Sequence, residues 1–289
     1  KVLLKIVSLQ REYFDQVVEY ALLELKQGRT PSPDIFCNQR IKFGLFQDRI
    51  DPDFEKIASG HYAIIRKEGD KTLLLRAPDP VKDQTYFLSQ QRKEQLDRSM
   101  FPIGHLVKDQ VRTLAAEFDL PNKSRKDSQG VCFLGKIKYP DFVRHYLGEK
   151  TGSIINRETG ETLGEHKGFW FHTIGQRQGL GLSGGPWYVS GKNVVNNTVL
   201  VTHGGTAEAL GRTDFLVTSP HWINDPPDTE RLTVRLRHGP ALLPCSVHPS
   251  GESDYSISLD TPDRGIAPGQ FAVFYNDRIC LGAGAITLR

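Results

Sequence analysis

The feature that most limits the possible folds of this sequence is a change of pattern near residue 140. Before it, apolar runs such as "KIASGHYAII" (56–65) and "KTLLLRA" (71–77) alternate with segments whose apolar residues have helical spacing. That alternation is typical of an α/β domain with a parallel sheet. After it, short alternating segments are separated by Gly, Pro and Asn. This second pattern is typical of β-rich modules, so the chain is expected to contain several domains.

Three modules in series are predicted. In the first, Val2 to Leu9 is expected to form a buried parallel strand, and Glu12 to Lys26 a helix that ends at Gly28. The second is a β-rich section that begins after about residue 140. In the third, strand-like segments recur about every 10 to 14 residues up to the end of the sequence, as in a small barrel or sandwich.

Composition and charge exclude some classes of function. Hydrophobic residues make up 38% of the 289 residues, and no apolar stretch approaches the roughly 20 residues needed to cross a bilayer. We therefore expect no membrane partner. The formal net charge is only +3, which is too small to indicate nucleic-acid binding by itself. Any such binding must come from local basic patches.

The stretch "GRTPSPDIFCNQRIKF" (28–43) places a carboxylate and a thiol at helical i, i+3 spacing. We expect Asp34 to cap a helix whose first turn contains Cys37, where the helix dipole and backbone N–H groups favour a thiolate. Asp34 could then accept a proton from the thiol or from a substrate. The alternative is that Asp34 only caps the helix and Cys37 is a small buried hydrophobic residue.

A second cysteine lies in a basic, glycine-containing segment. The stretch "KSRKDSQGVCFLGKIK" (123–138) surrounds Cys132 with five basic residues and one acid. Positive potential favours a thiolate and also attracts phosphates, and the glycines suit a segment that moves. The alternative is a surface loop with solvated charges. Cys245 and Cys280 lie in alternating β patterns, where core packing explains them.

The four cysteines form no CxxC pair, so their spacing predicts neither a zinc site nor a disulfide scaffold. It fits a reducing, cytosol-like compartment. Two cysteines together with Asp34 could also hold an iron–sulfur cluster instead of acting as thiols, and this alternative stays open.

Seven stretches together resemble the tRNA-specific 2-thiouridylase family in order and spacing, over essentially the whole chain. They are "GRTPSPDIFCNQRIKF", "ASGHYA", "KDQTYFL", "KDSQGVCFLG", "HTIGQRQGLG", "PWYV" and "PGQFAVFYN…CLGAGAI". The resemblance implies a Rossmann-like ATP-pyrophosphatase domain of the adenine nucleotide alpha hydrolase type at 1–140. A small β-rich central domain at 141–210 and a C-terminal β-barrel at 211–289 would follow.

The resemblance also implies a chemistry. ATP, with Mg²⁺, adenylates the 2-oxygen of the wobble uridine of tRNA, and a persulfide on Cys132 delivers sulfur to the activated carbon. Cys37 then attacks the carrier sulfur, which leaves a Cys37–Cys132 disulfide, and Asp34 matches the acid/base residue beside the base. The implied partners are tRNA and a sulfur-donor persulfide relay protein. The implied location is the cytoplasm of a bacterium, or an organelle if the chain is eukaryotic.

Further site residues are implied one position at a time. Ser32, where the family usually has Asn, joins Pro33 and Asp34 at the flipped-out base, and Gly60 matches an ATP-contacting glycine. The positions that match tRNA contacts are His61, Lys82, Asp83, Gln84, Arg237, His238 and Gln270. A base must leave its stack to be modified, so contacts spread over several modules are expected.

One departure from the family is the absence of its "SGGVDS" phosphate loop. The nearest string, "LSGGPW" (182–187), lies in the β-rich section and lacks the Asp-Ser pair. Phosphate binding requires backbone amides and a helix N-terminus. We expect the strand, loop and helix that carry this motif to lie outside these 289 residues. The alternatives are a non-catalytic tRNA-binding remnant and an ATP-independent persulfide or thiol relay protein.

Overall fold

The computed structural model describes residues 4–125, 138–205 and 211–288. Cys132, the predicted sulfur carrier, lies outside the described residues. Two long helices open the chain, and each contains a wider turn of the π type, a rare form that is often found at functional sites. Helix α1 (10–26) comprises Gln10–Tyr13, Phe14–Val18 and Glu19–Lys26, and helix α2 (33–49) comprises Pro33–Phe36, Cys37–Leu45 and Phe46–Arg49.

The predicted end of the first helix is confirmed, whereas the predicted strand before it is not. Gly28 has φ +75°, a left-handed conformation in which glycine ends helices. Residues 4–9 have no regular structure, and Leu4 and Ile6 are more than four-fifths exposed. An isolated strand is not stable without a hydrogen-bonding neighbour, and in the described part of the chain no strand pairs with this segment.

We call residues 10–147 the α/β part. After the two long helices, it combines short strands with short helices. Strands β1 and β4 pair in parallel, and β2 and β3 form an antiparallel hairpin. The strands are β1 (Ile57–Ala58), β2 (Ala63–Glu68), β3 (Lys71–Arg76) and β4 (Ser99–Met100). The helices are α3 (Thr85–Leu88), α4 (Lys93–Asp97), α5 (Lys108–Glu117) and α6 (Tyr139–Leu147). In the described residues three strands are followed by two helices, one strand and two helices, so the predicted alternation is only partial, and the predicted parallel pairing is found for β1 and β4.

The middle of the chain forms a four-stranded sheet with the order β6-β5-β8-β7. Strands β5 and β8 are parallel and the other two pairs are antiparallel. The strands are β5 (Gly152–Asn156), β6 (Thr162–His166), β7 (Trp187–Asn193) and β8 (Thr198–His203), and a short 3₁₀ helix covers Phe169–Phe171. Ile154, Val199 and Val201 are buried together, so this sheet has a core of its own.

The last six strands close into a barrel. Their order is β13-β10-β11-β12-β9-β14, and pairing of β13 with β14 completes the ring. A closed sheet has no free edge, which removes the exposed hydrogen-bonding groups of an open one. The strands are β9 (Arg212–Trp222), β10 (Arg231–Arg235), β11 (Leu243–Pro249), β12 (Tyr255–Asp263), β13 (Phe271–Asn276) and β14 (Ile279–Thr287). The predicted C-terminal barrel is therefore confirmed.

The barrel and the α/β part share one hydrophobic core. Along β13, Ala272 and Phe274 belong to the barrel's inner cluster, whereas Phe271, Val273 and Tyr275 belong to a cluster with residues of the α/β part. This division follows from the two-residue period of a strand. Strand β3 also pairs with β14, so the β2–β3 hairpin extends the barrel's sheet. The loops of both parts are thereby held at fixed positions relative to each other.

The two barrel cysteines are core residues, as the sequence predicts. Cys245 is completely buried and Cys280 is 1% exposed. Burial raises the pKa of the Cys245 thiol to about 12 and raises that of Cys280 further. Both side chains are therefore neutral thiols at physiological pH.

Candidate active site

The predicted base-binding segment forms the start of helix α2. Ser32 is the residue before the helix, Pro33 is the first helical residue, and Asp34 lies in the first turn. We predicted Asp34 as the cap, so the helix begins earlier than expected. Proline suits the first helical position because its φ is already helical and its missing N–H has no partner to lose there. Asp34 is thus half-buried on the first turn, at i, i+3 spacing from Cys37.

This segment is held against the barrel. The N–H of Thr30 donates to the carbonyl of Pro268 over 2.8 Å, and the N–H of Ser32 donates to the hydroxyl of Tyr20 over 3.3 Å. At Gly269, a Cβ atom would lie only 2.9 Å from the Thr30 carbonyl oxygen. The predicted tRNA contact Gln270 follows directly. The structure therefore brings Thr30 and Pro268, 238 positions apart in the sequence, into contact, and Ser32 and Gln270 each follow two residues after this contact.

The thiol of Cys37 is completely buried. It belongs to a core cluster with residues of α1 and with Phe142 and Val143 of α6. Of the two interpretations from the sequence, burial as a small hydrophobic residue describes this conformation. Helix α6 begins at Tyr139, seven residues after Cys132 in the sequence. Cys37 therefore packs against the helix that follows the segment containing the second predicted sulfur.

All three residues of the "KDQ" tripeptide make hydrogen bonds within the protein, and the N–H of Lys82 donates to the Asp79 carboxylate over 3.1 Å. Asp83 is 1% exposed, and its carboxylate pairs with Arg235 of the barrel over 2.5 Å and with Arg76 over 3.5 Å. The backbone N–H of Gln84 donates to the Tyr62 carbonyl over 2.9 Å, and its side-chain oxygen accepts from the Tyr62 N–H over 3.0 Å. Lys82 is half-buried beside them. Of the three, Asp83 has a side chain that is enclosed in the core.

The predicted barrel pair, Arg237 and His238, adjoins helix α3 through His238. Arg237 is exposed and makes a two-fold hydrogen bond to Asp263, at 2.7 and 3.1 Å. His238 is also exposed, and its ring stacks on that of Phe87 at 4.6 Å. Burial lowers the pKa of His238, and a hydrogen bond to the backbone of Asp83 opposes this. His238 is thereby joined to the "KDQ" turn.

Gly60 and His61 occupy different environments although they are adjacent. Gly60 is exposed, and the only atom within 4 Å of a Cβ built on it is a methyl carbon of Ile103, at 3.9 Å. His61 is 8% exposed, lies against Phe43 and Phe101, and shares a 2.8 Å hydrogen bond with Ser59. Burial, with a smaller contribution from Lys42, lowers the pKa of His61 to about 3. The imidazole is therefore neutral and packs in the core.

A cavity of about 740 Å³ is lined in part by Ser59, the residue before Gly60. It lies beside the carboxyl end of β1, where open α/β sheets bind ligands. Its lining is mainly apolar and comes from residues 6–10, α1, α2 and α6, with Lys42 as a cation. Apolar walls of this kind fit an adenine ring. For the phosphates, the residues that line the cavity offer a single lysine and no glycine-rich turn.

The site has two contributors that sequence reasoning missed. Phe87 supplies the ring on which His238 stacks, and Asp263 holds Arg237. Phe87 lies inside a quoted motif, "KDQTYFL", so proximity to that motif was an available signal. Asp263 pairs with an arginine 26 positions away, and nothing in the local sequence indicates that contact.

Neither a metal cluster nor a membrane span is found in the parts of the chain that the structure describes. Among residues 4–125, 138–205 and 211–288, no three His, Cys, Asp or Glu side chains are grouped as metal ligands. Within the same ranges, every helix is too short or too polar to cross a bilayer.

Comparisons with known proteins match three family models in series. Residues 1–136 match the tRNA methyl transferase HUP domain, residues 140–203 the tRNA methyl transferase PRC-barrel domain, and residues 212–286 the Aminomethyltransferase beta-barrel domain. The HUP match agrees with the predicted Rossmann-like first domain.

Curated relatives are similar along nearly the whole chain. The chain is 46% identical to tRNA-specific 2-thiouridylase MnmA 2 of Bacteroides fragilis, covering 98% of this chain and 82% of that protein. It is 47% identical to tRNA-specific 2-thiouridylase MnmA of Parabacteroides distasonis, covering 98% and 80%. The corresponding protein of Porphyromonas gingivalis is 45% identical over 98% and 81%. Identity of this extent, together with the three domain matches in order, shows that the chain belongs to the tRNA-specific 2-thiouridylase family.

Proposed function

We propose that this protein is a tRNA-uridine 2-sulfurtransferase that uses ATP to thiolate the wobble uridine. The observation that carries the proposal is the junction at the start of α2. There Thr30, two residues before Ser32, meets Pro268 and Gly269 of the barrel turn that ends at Gln270, and Asp34 and Cys37 follow in the first turns of α2. A base that enters this junction would face the Asp34 carboxylate, and Cys37 lies on the same face of the helix, covered by α6 in this conformation.

The proposed reaction has three bond-forming steps. The 2-oxygen of uridine attacks the α-phosphorus of ATP and pyrophosphate leaves, because an unmodified carbonyl oxygen is a poor leaving group. The terminal sulfur of a persulfide on Cys132 then attacks C2, and AMP leaves with the former 2-oxygen. Finally, the Cys37 thiolate attacks the inner sulfur of Cys132, so that the S–S bond breaks, the thiocarbonyl forms and a Cys37–Cys132 disulfide remains. A reductant must restore both thiols.

The residues of this chain have separate parts in that scheme. Asp34 would move a proton at the uridine or at the thiol, which is the work of a carboxylate within hydrogen-bond reach. Ser59, which lines the apolar cavity, and the adjacent Gly60 would hold the adenosine of ATP, whose phosphates would carry Mg²⁺. An iron–sulfur cluster between the cysteines remains the competing hypothesis for their role.

We further propose that tRNA lies across the junction of the α/β part and the barrel. Lys82, Gln84, Arg237, His238 and Gln270 border this face, and an aromatic surface for stacking is provided by Phe87 and His238. His61 and Asp83 would contribute by fixing the loops that carry these residues, since their side chains are buried.

The proposal includes the setting of the enzyme. Its domains would extend over 1–140, 141–210 and 211–289. A sulfur-donor relay protein would load Cys132, and the enzyme would act in the bacterial cytoplasm, or in an organelle if the chain is eukaryotic.

The test is a tRNA thiolation assay with the full-length protein. Cys132→Ser should abolish formation of 2-thiouridine, and Cys37→Ser should stop turnover. Cys245→Ala, at a barrel-core cysteine, is the matched control and should retain activity if its thermal unfolding is cooperative. Normal thiolation by Cys132→Ser would refute the assigned carrier. Binding of tRNA without any thiolation by the wild type would favour a non-catalytic tRNA-binding protein, and sulfur transfer to a protein without ATP or tRNA would favour a persulfide relay.

A further inference from the structure

A second basic site lies between the central sheet and the barrel. It is a cavity of about 210 Å³, and its walls come from β7, β8, the start of β9 and the turn after β12. Three arginines line it: Arg157, Arg212 and Arg264. Arg157 and Arg212 are exposed, so the cavity is accessible from solvent. None of these residues belongs to the junction between the start of α2 and the Pro268–Gln270 turn.

The charge in this cavity is strongly positive. Among the described residues that line the cavity, Asp263 is the one acid, and its carboxylate is already bonded twice to Arg237, at 2.7 and 3.1 Å, and to the N–H of Gly265, at 2.6 Å. The carboxylate therefore has little capacity left to neutralise the three lining arginines. Three guanidinium groups that face a small shared space repel one another unless an anion is placed between them.

The arginines keep donors available for an anion. Arg157 donates one N–H to the Ser190 carbonyl over 3.0 Å, and the guanidinium of Arg264 lies 4.4 Å from the ring centre of Tyr188. Stacking on an aromatic ring orients a guanidinium without using its N–H groups. Since each guanidinium has five donors, most of them remain for a ligand that can accept two hydrogen bonds at once, as a phosphate does.

A buried polar atom in the same cavity also lacks a partner. Thr202 is 1% exposed and lines the cavity, and its hydroxyl has no hydrogen bond within the part of the chain that the structure describes. Buried hydroxyl groups are nearly always hydrogen-bonded. An oxyanion that accepts from the arginines could accept from this hydroxyl as well.

The position of the cavity favours RNA as the source of that anion. Asp263 lines the cavity and also holds Arg237, so the cavity is continuous with the Arg237–His238 edge of the proposed tRNA face. The carbonyl of Arg264 approaches Gly175, where a Cβ would lie 2.4 Å from it, which fixes the central sheet against the barrel at this point. A polynucleotide that crosses the junction would reach this cavity with its backbone.

We propose that Arg157, Arg212, Arg264 and Thr202 form a phosphate-binding subsite that holds one phosphodiester of the tRNA backbone away from the modified base. This inference rests on the proposed function. The subsite positions the RNA and carries no sequence information, because it contacts phosphate and not base edges. It would fix the distance between the base in the junction and a remote part of the tRNA.

The experiment measures binding of an in vitro transcribed tRNA with a wobble uridine by the full-length protein over a series of salt concentrations. The variants are Arg212→Gln, Arg264→Gln and their combination. Arg66→Gln, at an exposed arginine of β2, is the matched control. Each lost phosphate contact should lower the slope of log affinity against log salt by about one unit. The combined variant should bind about tenfold more weakly, and Arg212→Lys should keep the wild-type slope.

The possible results distinguish failure of the phosphate-binding subsite from failure of the proposed function. An unchanged slope and affinity in the combined variant, with tRNA binding by the wild type, would overturn the subsite alone. Failure of the wild type to bind tRNA would overturn the proposed function and the subsite together. A second arm adds inorganic phosphate without tRNA. If the combined variant loses a phosphate-dependent rise in Tm but keeps its tRNA slope, the site binds free phosphate and the assignment to RNA is wrong.

Discussion

Asp83 and Arg235 form a completely buried ion pair between the α/β part and the barrel, with 2.5 Å between carboxylate and guanidinium. They are 152 positions apart in the sequence. The carboxylate also accepts hydrogen bonds from the N–H of Ala77 and from the backbone and hydroxyl of Thr85. The guanidinium lies 5.1 Å from the ring centre of Tyr275. This pair fixes the "KDQ" turn against the strand that leads to Arg237 and His238.

The first prediction concerns this ion pair. Asp83→Asn should lower the free energy of unfolding by about 3–5 kcal/mol, because it leaves the Arg235 charge buried without its counter-ion. Urea denaturation measures the change. The matched control is Asp260→Asn, which breaks a two-fold hydrogen bond to Arg231 on the surface of the barrel and should cost much less. Equal losses in the two variants would show that the buried pair contributes no more to the free energy of unfolding than the surface pair.

The same pair shows where prediction from sequence ends. Local patterns identified the end of α1 at Gly28 and the alternation of the barrel strands, because both depend on residues close together in the chain. From the sequence, Asp83 is expected to contact tRNA as part of the "KDQ" tripeptide. Asp83 is buried because it pairs with Arg235, which belongs to the barrel. A contact between residues so far apart in the chain leaves no local sequence pattern.

In the candidate site too, some features were expected from the sequence and others were not. The family resemblance implied Ser32, Pro33 and Asp34 as contacts of the flipped-out base and Gln270 as a tRNA contact, and in the structure Thr30, two residues before Ser32, contacts Pro268 and Gly269 beside Gln270. Motif spacing did not indicate that the thiol of Cys37 is completely buried, since burial is set by α6, about a hundred positions later in the chain. Exposure is a property of the packed molecule, whereas spacing is a property of the chain.

The second prediction concerns His61 and acid pH. Burial lowers the pKa of His61 to about 3, below the ordinary value of 6.5, so the unfolded chain binds a proton that the folded chain does not. Stability should therefore be complete above pH 6.5 and fall with decreasing pH, by about 1.4 kcal/mol one unit below that value. His61→Phe should remove this part of the pH dependence, measured by urea denaturation between pH 5 and 7. The same slope in both proteins would contradict the prediction.

The third prediction concerns Gly269, which joins the barrel to the base-binding segment. It has φ +86°, and a Cβ there would lie 2.7 Å from a carboxylate oxygen of Glu24 and 2.9 Å from the Thr30 carbonyl oxygen. Gly269→Ala should therefore displace Thr30 and Ser32, weaken tRNA binding severalfold and lower the Tm. Gly251→Ala is the matched control, because Gly251 has φ +88° and no described residue has an atom within 4 Å of a Cβ built there. Both variants suffer the backbone strain of a left-handed alanine, and only one suffers the clash.

A comparison of the two glycine variants isolates the junction from general destabilisation. If Gly269→Ala and Gly251→Ala lose the same stability and bind tRNA equally well, the contact between Thr30 and Gly269 does not position the base-binding segment. If only Gly269→Ala loses affinity, the excess loss measures how strongly the barrel turn holds the base-binding segment. Filter binding of tRNA and thermal unfolding provide the two measurements.

The last prediction concerns access to Cys37. Its thiol is buried beneath α6, so alkylation in the native protein should be slower than in urea by on the order of a hundredfold or more. Phe142→Ala, which removes a buried ring from the cluster that contains Cys37, should open α6 locally and speed alkylation of Cys37. Cys245, buried in the barrel, is the internal control and should stay protected. Mass spectrometry of the two cysteine peptides measures both rates. Equal acceleration at the two sites would indicate global unfolding, and rapid alkylation of Cys37 in the wild type would mean that α6 does not control access to this thiol.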